Sequence, residues 1–309
     1  MSGVVVLTGG VGGAKLVLGL ATLLPPAEVT AVVNTGDDFR HMGLHVSPDI
    51  DTLLYTLAGK ADREQGWGRD KDSWSFMAAL AELGGPEWFS LGDGDLALHI
   101  LRSAALAQGD TLSAVTERFA RNWGIAARAL PMSDDPVATE IRTDEGVLPF
   151  QRYFVERRCE PAVRGIDFVG ADIAHPAPGV VEAITDPATR AILIAPSNPY
   201  LSIDPILSIP GVRAALSDAA APVVAVSPII GGRAVKGPTA KLMGELGLAV
   251  TNRTIADHYA ELIDGLLVDR ADAADLPILS GSTDTLMLDL DDKVRVARAA
   301  LDLAAAVQG

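Results

Sequence analysis

The sequence predicts an α/β fold with a Rossmann-like, doubly wound and mainly parallel sheet that carries a helical insertion. Short β-branched apolar runs alternate with helical patterns along most of the chain. The apolar runs are unbroken, which is typical of strands that are buried on both faces. From about residue 50 to about residue 125 the strand signal fades and helical patterns replace it. We therefore expect one domain over residues 1–309 with a helical insertion at about 50–125.

The chain begins with a strand–helix–strand unit. Residues 3–8 are a strand run, residues 14–24 are a helical pattern that ends before Pro25, and residues 29–33 are a second strand run. The insertion then contains four helical patterns, at 50–58, 73–83, 95–107 and 112–122.

The second half of the chain returns to the α/β pattern. Residues 138–150 are typical of a hairpin that turns at 144–146. Buried strands are predicted at 191–195 and 223–227, and an amphipathic helix at about 289–307.

Composition narrows the possible classes of protein. A net charge of −15 argues against a nucleic-acid-binding protein, since binding to phosphate backbones needs a basic surface. The single cysteine, Cys159, excludes an internal disulfide and a cysteine-based metal site. No apolar run reaches the roughly 20 residues of a membrane span, and the first residues lack the features of a signal peptide. We expect a cytoplasmic protein that binds small molecules but neither nucleic acid nor membranes.

A glycine-rich segment, GGVGGAK at 9–15, joins the first strand to the first helix. Such loops place backbone N–H groups against phosphate at a helix N-terminus. The segment matches neither of the standard loops. A P-loop has Ser or Thr after its Gly-Lys, and a dinucleotide fingerprint has Gly or Ala where this chain has Lys15. The segment thus predicts a phosphate site of undefined kind, with a tight turn that binds nothing as the alternative.

Two pairs of aspartates follow this loop. Asp37 and Asp38 come after the second strand, and Asp49 and Asp51 lie at the start of the next helical pattern. Carboxylates beside a phosphate loop can hold Mg²⁺, whereas an acid after the second strand of an NAD-binding fold binds ribose hydroxyls. An Asx turn or, for Asp49, a helix cap would explain them without a ligand. The second pair favours the metal hypothesis for at least one member of each pair.

Asn198 stands between two prolines after the strand at 191–195, where it suits recognition of a base or ribose. In an open parallel sheet ligands collect at this edge, the carboxyl ends of the strands. The chain contains neither an HExxH pattern nor a GxSxG elbow, so covalent acyl chemistry is disfavoured.

Taken together, these segments resemble the 2-phospho-L-lactate transferase (CofD/FbiA) family of coenzyme F-420 biosynthesis. The resemblance extends along nearly the whole chain, and its specificity comes from the order of eight motifs. They are GGVGGAK (9–15), VVNTGDDF (32–39), SPDIDTLLYTLAG (47–59), LGDGDLALHILRS (91–103), LPMSDDPV (130–137), APSNP (195–199), VAVSPIIGG (224–232) and KGPTAKLM (236–243).

This resemblance implies a Mg²⁺-dependent transfer reaction on a Rossmann-like fold, in a protein that is typically a homodimer. A phospho-acid unit passes from a diphosphoguanosine donor to the ribityl 5′-hydroxyl of 7,8-didemethyl-8-hydroxy-5-deazariboflavin, and GMP leaves. Phosphoryl-type transfer needs charge neutralisation and positioning more than a protein nucleophile, which fits the residues described above.

The resemblance also suggests roles for particular residues. Asp51 and Ser90 fall where the family holds the deazaflavin, and Asp38 and Asp51 are the candidate metal ligands and catalytic groups. An aspartate that binds both metal and acceptor hydroxyl could also help to remove its proton. Gly10, Gly12 and Gly13 would hold the donor phosphates, with Lys15 as a counter-charge and Asn198 at the guanosine.

One position departs from the family pattern. Many members have Leu-Gly-Asp-Arg-Asp where this chain has Gly94 in the fourth place, which leaves open whether the transferred acid is lactate, enolpyruvate or glycerate. A non-catalytic regulator of the related gluconeogenesis-factor family, binding a nucleotide-sugar or NADP, is the alternative function. An NAD-dependent oxidoreductase is weakened by Lys15 in the glycine loop.

Overall fold

The computed structural model describes residues 3–62, 68–234, 237–273 and 276–308. In chain order the strands are β1 (Val4–Thr8), β2 (Val29–Val33), β3 (Phe39–His41), β4 (Leu44–Val46), β5 (Arg128–Pro131), β6 (Ala138–Thr143), β7 (Gly146–Pro149), β8 (Val163–Val169), β9 (Ala191–Ile194), β10 (Val223–Val226), β11 (Ile229–Ile230), β12 (Arg233–Ala234), β13 (Gly265–Asp269) and β14 (Leu279–Thr283). The α-helices are α1 (Gly10–Leu23), α2 (Pro48–Leu57), α3 (Ser75–Glu82), α4 (Asp93–Ala107), α5 (Leu112–Asn122), α6 (Val180–Thr185), α7 (Asp204–Ser208), α8 (Val212–Ser217), α9 (Thr239–Glu245), α10 (Asn252–His258) and α11 (Leu290–Gln308). Short 3₁₀ helices cover Pro26–Glu28, Ala171–Ile173 and Arg270–Asp272, and π-helical turns cover Arg152–Glu156 and Pro199–Ile203.

Seven strands form one parallel sheet in the order β14-β13-β10-β9-β1-β2-β5. Read from β5 and numbered along the chain, this order begins 3-2-1-4-5-6, which is the Rossmann order. The direction of winding changes between β1 and β9, and loops on the carboxyl side of the sheet diverge at such a point and leave a crevice. The predicted fold class is confirmed.

Both faces of the sheet are covered, because consecutive residues of a strand point to opposite sides. Val4 and Val6 of β1 belong to a core with α1, α2 and α11, whereas Val5 and Leu7 belong to a second core with the helices of the 180–260 region. This double burial explains why the strands read as unbroken apolar runs.

The predicted elements appear with shifted bounds. α1 begins at Gly10 rather than at residue 14, so the glycines form the first turn of the helix itself. Four helices, α2 to α5, occupy the region of the predicted insertion. The predicted hairpin is β6–β7, which pairs with β8 in a three-stranded antiparallel sheet.

The sequence analysis did not predict β8 or the sheet strands β5 and β13. It also did not predict the small β3–β4 hairpin or the edge strand β14. The first has only three residues in each strand, and the second is half exposed and reads Leu-Ser-Gly-Ser-Thr. Within the described residues, no helix is long and apolar enough to cross a membrane.

Candidate active site

A cavity of about 900 Å³ opens at the carboxyl side of the sheet, at the switch between β1 and β9. It has two ends of different character. The glycine end is lined by the start of α1, Asp37, Asp49 and residues 196–198. The aromatic end is lined by five rings together with Asp95 and His99. The five rings are those of Tyr55, Trp88, Phe89, Phe150 and Phe154. Ligands of open α/β sheets bind at this place in the fold.

At the glycine end, the first turn of α1 requires glycine for two reasons. Gly10 has a φ of +61°, a conformation that favours glycine, and its N–H donates to Asp49 Oδ1 at 2.7 Å. A Cβ at Gly12 would lie 2.5 Å from the carbonyl oxygen of Pro196, and one at Gly13 would overlap neighbouring side chains. The backbone of this turn can therefore approach a ligand closely, with N–H groups that the helix leaves unpaired.

Asp37 and Asp49 lie beside this turn and share one amide group. Asn34 Nδ2 donates to Asp49 Oδ2 at 3.0 Å and also to Asp37 Oδ1. Burial raises the pKa of both carboxyls, and repulsion from Asp49 raises the pKa of Asp37 further. In the described part of the chain neither carboxylate has a lysine or arginine partner within 4 Å. No described lysine or arginine therefore pairs with these two carboxylates to balance their negative charge.

Asp38, predicted as a metal ligand, does not line the cavity. It accepts a hydrogen bond from Ser47 Oγ at 2.6 Å and contacts His45 Nε2 at 3.0 Å. Its Oδ1 atom is buried and has no partner among the described residues. Burial raises the pKa of the Asp38 carboxyl, although the hydrogen bond to His45 opposes this shift. Asp38 therefore joins the end of β2 to β4 and to the start of α2.

Asp51, the other predicted ligand, lines the cavity but is already ion-paired. Arg102 of α4, which is only 1% exposed, contacts both carboxylate oxygens of Asp51 through its two terminal nitrogens. Burial raises the pKa of the Asp51 carboxyl, whereas the Arg102 charge lowers it. A bidentate pair of this kind fixes a carboxylate in place and neutralises it.

Three further predicted residues, Lys15, Ser90 and Asn198, line the cavity. Lys15 Nζ donates to the carbonyl of Met287 at 2.5 Å. Asn198 caps the π-helical turn Pro199–Ile203, because its Oδ1 accepts two backbone N–H groups of that turn. Ser90 is exposed in the segment between α3 and α4. The capping role occupies the Asn198 carbonyl, which leaves less of this side chain for a ligand than the sequence suggested.

The aromatic end is built from two segments that contact each other. Trp88 and Phe89 have ring centroids 5.6 Å apart, and Phe150 stacks on Phe154 at 5.4 Å. The Arg152 guanidinium lies 4.1 Å from the centre of the Trp88 ring and links the two segments. These rings form a largely apolar compartment of a kind that commonly binds ring systems.

The structure also explains how the chain accommodates Gly94. A Cβ at this position would lie 2.5 Å from Nη1 of Arg69. The Arg69 guanidinium, 6.0 Å from the centre of the Tyr55 ring, therefore fills the space that a side chain at position 94 would need.

Eight site residues were predicted from the sequence, and six of them line one cavity. These are Gly10, Gly12, Lys15, Asp51, Ser90 and Asn198, whereas Gly13 and Asp38 lie outside its lining. The cavity brings the six together although Gly10 and Asn198 are far apart in the sequence.

The sequence analysis did not select several groups that the structure places in the cavity. It weighed Asp37 and Asp49 but preferred their neighbours, and it passed over Asp95, His99 and the aromatic rings. A signal for part of this wall was available, because Asp51 and Tyr55 on α2, like Asp95 and His99 on α4, are four residues apart and share a helix face.

A Rossmann-like sheet with a helix N-terminus and paired carboxylates at its switch point defines a protein that binds a phosphorylated ligand. The comparison with protein families is more specific. The family model described as 2-phospho-L-lactate transferase CofD matches residues 4–296. The chain belongs to this family, and the transferase of coenzyme F-420 biosynthesis predicted from the sequence is confirmed at that level.

Similar proteins are known from bacteria and archaea. The chain is 45% identical to a phosphoenolpyruvate transferase of Kitasatospora aureofaciens, over 99% of this chain and 98% of that protein. It is 41% identical to a 2-phospho-L-lactate transferase of Methanosarcina mazei, over 95% of this chain and 97% of that protein. A UPF0052 family protein of Bacillus halodurans has a similar fold, with a TM-score of 0.64 at 17% identity, covering 97% of this chain and all of that one.

Proposed function

We propose that this protein transfers a phospho-acid from a diphosphoguanosine donor to the 5′-hydroxyl of the deazaflavin 7,8-didemethyl-8-hydroxy-5-deazariboflavin and releases GMP. The observation that carries the proposal is the division of one cavity into a glycine end and an aromatic end. A phosphate-binding turn and an apolar ring compartment in one cavity match the two parts that the reaction must bring together.

The donor phosphates would occupy the glycine end. The first turn of α1 presents backbone N–H groups there, and the helix dipole favours negative charge at the same place. The first turn of α1 also lies next to Asp49, however, so a donor bound there would have a carboxylate beside its negative charge. Such an arrangement is repulsive unless a cation lies between the two.

The residues present fit a Mg²⁺ ion held by Asp37 and Asp49 better than one held by Asp38 and Asp51. The first two face the cavity with no cationic partner in the described segments, while Asp51 is neutralised by Arg102. No group of three or more His, Cys, Asp or Glu side chains in the described residues could hold a metal. Mg²⁺ is commonly held by one or two carboxylates together with substrate phosphates, and when bound it would neutralise charge on the transferred group.

The reaction forms a bond between the acceptor hydroxyl oxygen and the phosphorus next to the acid. The bond from this phosphorus to the bridging oxygen breaks, and that oxygen leaves with GMP. Asp51, held by Arg102 at the aromatic end, would accept a hydrogen bond from the attacking hydroxyl, orient it and take up its proton as the new bond forms. The product is a phosphodiester.

The decisive experiment is a competition assay that identifies the product by mass. Purified protein with Mg²⁺ and the deazaflavin is offered equal amounts of diphosphoguanosine donors carrying lactate, enolpyruvate or glycerate. We expect one predominant phosphodiester whose mass names the acid. The names of the similar proteins support lactate and enolpyruvate as the leading candidates.

No product with any donor, together with tight binding of a nucleotide-sugar or NADP, would instead support the regulator function. We further expect a homodimer, as the family resemblance implies, which light scattering coupled to size-exclusion chromatography would measure.

A further inference from the structure

Helices α2 and α4 face each other at the aromatic end and are joined by two side-chain pairs. Arg102 of α4 forms the buried ion pair with Asp51 of α2. One to two turns away, the Tyr55 hydroxyl of α2 donates to Asp95 Oδ1 of α4. Because Asp95, His99 and Arg102 are four and three residues apart, they lie on one face of α4. His99 is therefore held between the two pairs.

The position of His99 fixes which of its nitrogens carries the proton. Its Nδ1 lies 3.4 Å from Nη1 of Arg102, which can only donate, and 3.6 Å from Asp51, which is too far for a hydrogen bond. Nδ1 is thus the acceptor, and the proton of the neutral ring is on Nε2. Burial, followed by the Arg102 charge, lowers the pKa of His99 to about 4, so the ring is neutral near pH 7.

The Nε2–H group of His99 and one oxygen of Asp95 are left for a ligand. His99 lines the cavity at 3% exposure, and no described residue is a hydrogen-bond partner of its Nε2. Asp95 also lines the cavity, its Oδ1 is taken by Tyr55, and its Oδ2 has no partner in the same part of the structure. Neither atom is among the fully enclosed polar atoms that lack a partner in the described residues, so both are open to the cavity, where the polar edge of a ligand can pair with them.

We propose that His99 and Asp95 bind the edge of the acceptor ring, with His99 Nε2–H donating to a ring carbonyl and Asp95 Oδ2 accepting from the adjacent ring N–H. The proposal rests on the proposed function, because a deazaflavin carries this carbonyl and N–H side by side in its pyrimidinedione ring. A donor and an acceptor on one helix face, about 5–6 Å apart at their Cβ atoms, match such an edge. Neither residue takes part in the transfer step.

A site built in this way discriminates strongly, since a ligand without the matching group leaves a buried polar group unpaired. The aromatic rings of this end would accept any flat ring system of suitable size. The His99–Asp95 pair would therefore confer specificity on a compartment that is otherwise only apolar.

The first test measures deazaflavin binding by its fluorescence, without turnover. Replacing the ring nitrogens in His99→Phe should weaken binding about tenfold, the value of one buried hydrogen bond, and raise the KM for deazaflavin without changing kcat or the KM for the donor. His99→Gln, which keeps an N–H donor, should recover part of the loss. His175→Phe is the matched control, because the His175 side chain is 86% exposed and is not part of the lining.

The second test varies the ligand instead of the protein. A deazaflavin methylated at the ring N–H should bind the wild-type protein about tenfold more weakly than the parent compound. In Asp95→Ala this difference between the two ligands should nearly vanish, whereas in His99→Phe it should persist. Thermal unfolding of each variant establishes that the protein is folded before binding is compared.

The outcomes separate this inference from the proposed function. If the wild-type protein binds and converts deazaflavin, and both ligands show the same ratio of affinities in wild type and Asp95→Ala, the ring-edge assignment is wrong while the function stands. Unchanged deazaflavin binding in His99→Phe would likewise show that the ring-edge assignment is wrong while the proposed function stands. If the wild-type protein does not bind deazaflavin at all, both the inference and the proposed function are overturned.

Discussion

The glycine end and the aromatic end of the cavity handle charge in opposite ways. At the glycine end, Asp37 and Asp49 stand beside a helix N-terminus with no arginine or lysine partner in the described structure. At the aromatic end, the acid Asp51 is matched within the protein by a buried arginine. At the glycine end the two carboxylates depend on charge that a ligand brings, whereas at the aromatic end Asp51 is already neutralised by Arg102.

This difference follows the architecture. The glycine end is made by loops of the parallel sheet, which the chain shares in fold with a UPF0052 family protein at only 17% identity. The aromatic end is made mostly by α2, α4 and the segment before α4, which belong to the helical region between β2 and β5, and is completed by Phe150 and Phe154 from the segment after β7. Under the proposed function, the loops of the sheet would hold the phosphates and the aromatic end would hold the acceptor.

The largest effect should come from removing a charge at the glycine end. Asp49→Asn keeps the size of the side chain but halves the negative charge offered to a cation, so we expect transfer to fall about a thousandfold, or ~4 kcal/mol. Deazaflavin binding should be unchanged. Steady-state rates across a Mg²⁺ titration, with fluorescence binding in parallel, measure both.

The matched control for this change is Asp38→Asn, which alters a carboxylate outside the cavity lining. We expect its effect on the rate to be below tenfold. A larger loss of transfer rate in Asp38→Asn than in Asp49→Asn would indicate that the cation binds at Asp38, as predicted from the sequence alone.

At the aromatic end, we expect the main effect of a substitution to be on the free energy of unfolding rather than on the chemical step. Arg102→Met leaves the Asp51 carboxylate buried without a partner, which typically costs about 3–5 kcal/mol. Urea unfolding should show this loss. The double variant Asp51→Leu with Arg102→Met should regain most of the stability while remaining inactive. A single variant within about 1 kcal/mol of wild type would mean that water reaches Asp51.

Much of the fold could be predicted from the sequence, because the signals of its strands and helices are local. The strand at 191–195 is recognisable from its unbroken apolar run. The turn at 9–15 is recognisable from its glycines, which allow backbone conformations that other residues rarely adopt. The edge strand β14 was not predicted, because its partly exposed residues do not form an unbroken apolar run.

The site was harder to predict, because the roles of its acids depend on partners distant in the chain. Asp49 and Asp51 look equivalent in sequence, yet Asp51 meets Arg102 from α4 and Asp49 meets Asn34 and the Gly10 N–H. Only the packing of α2 against α1 and α4 separates a neutralised acid from one available to a cation. No property of either residue alone contains that information.

A backbone change should weaken the glycine end alone. In Gly12→Ala the new methyl group meets the Pro196 carbonyl, so the turn must shift away from its place against the phosphates. Displacements of about 1 Å can cost a hundredfold in rate, so we expect the transfer rate to fall by about that factor and donor binding, measured by calorimetry, to weaken. Gly244→Ala is the control, because a Cβ there meets nothing within 4 Å. Equal losses of donor and deazaflavin affinity would contradict the independence of the two ends.

The smallest expected effect concerns the apolar surface of the aromatic end. Trp88→Leu removes one ring face and its contact with Arg152, and stacking on such a face is worth about 1–3 kcal/mol, so deazaflavin binding should weaken roughly tenfold or somewhat more. GDP binding, which probes the glycine end, should stay within about twofold, a difference of only ~0.4 kcal/mol. Trp74→Leu, a change at a tryptophan that is 40% exposed and outside the lining, serves as the control. A loss of GDP affinity in Trp88→Leu but not in Trp74→Leu would show that the two ends are coupled, with Arg152 as the contact between them. The two ends would then be separate in space but would not bind their ligands independently.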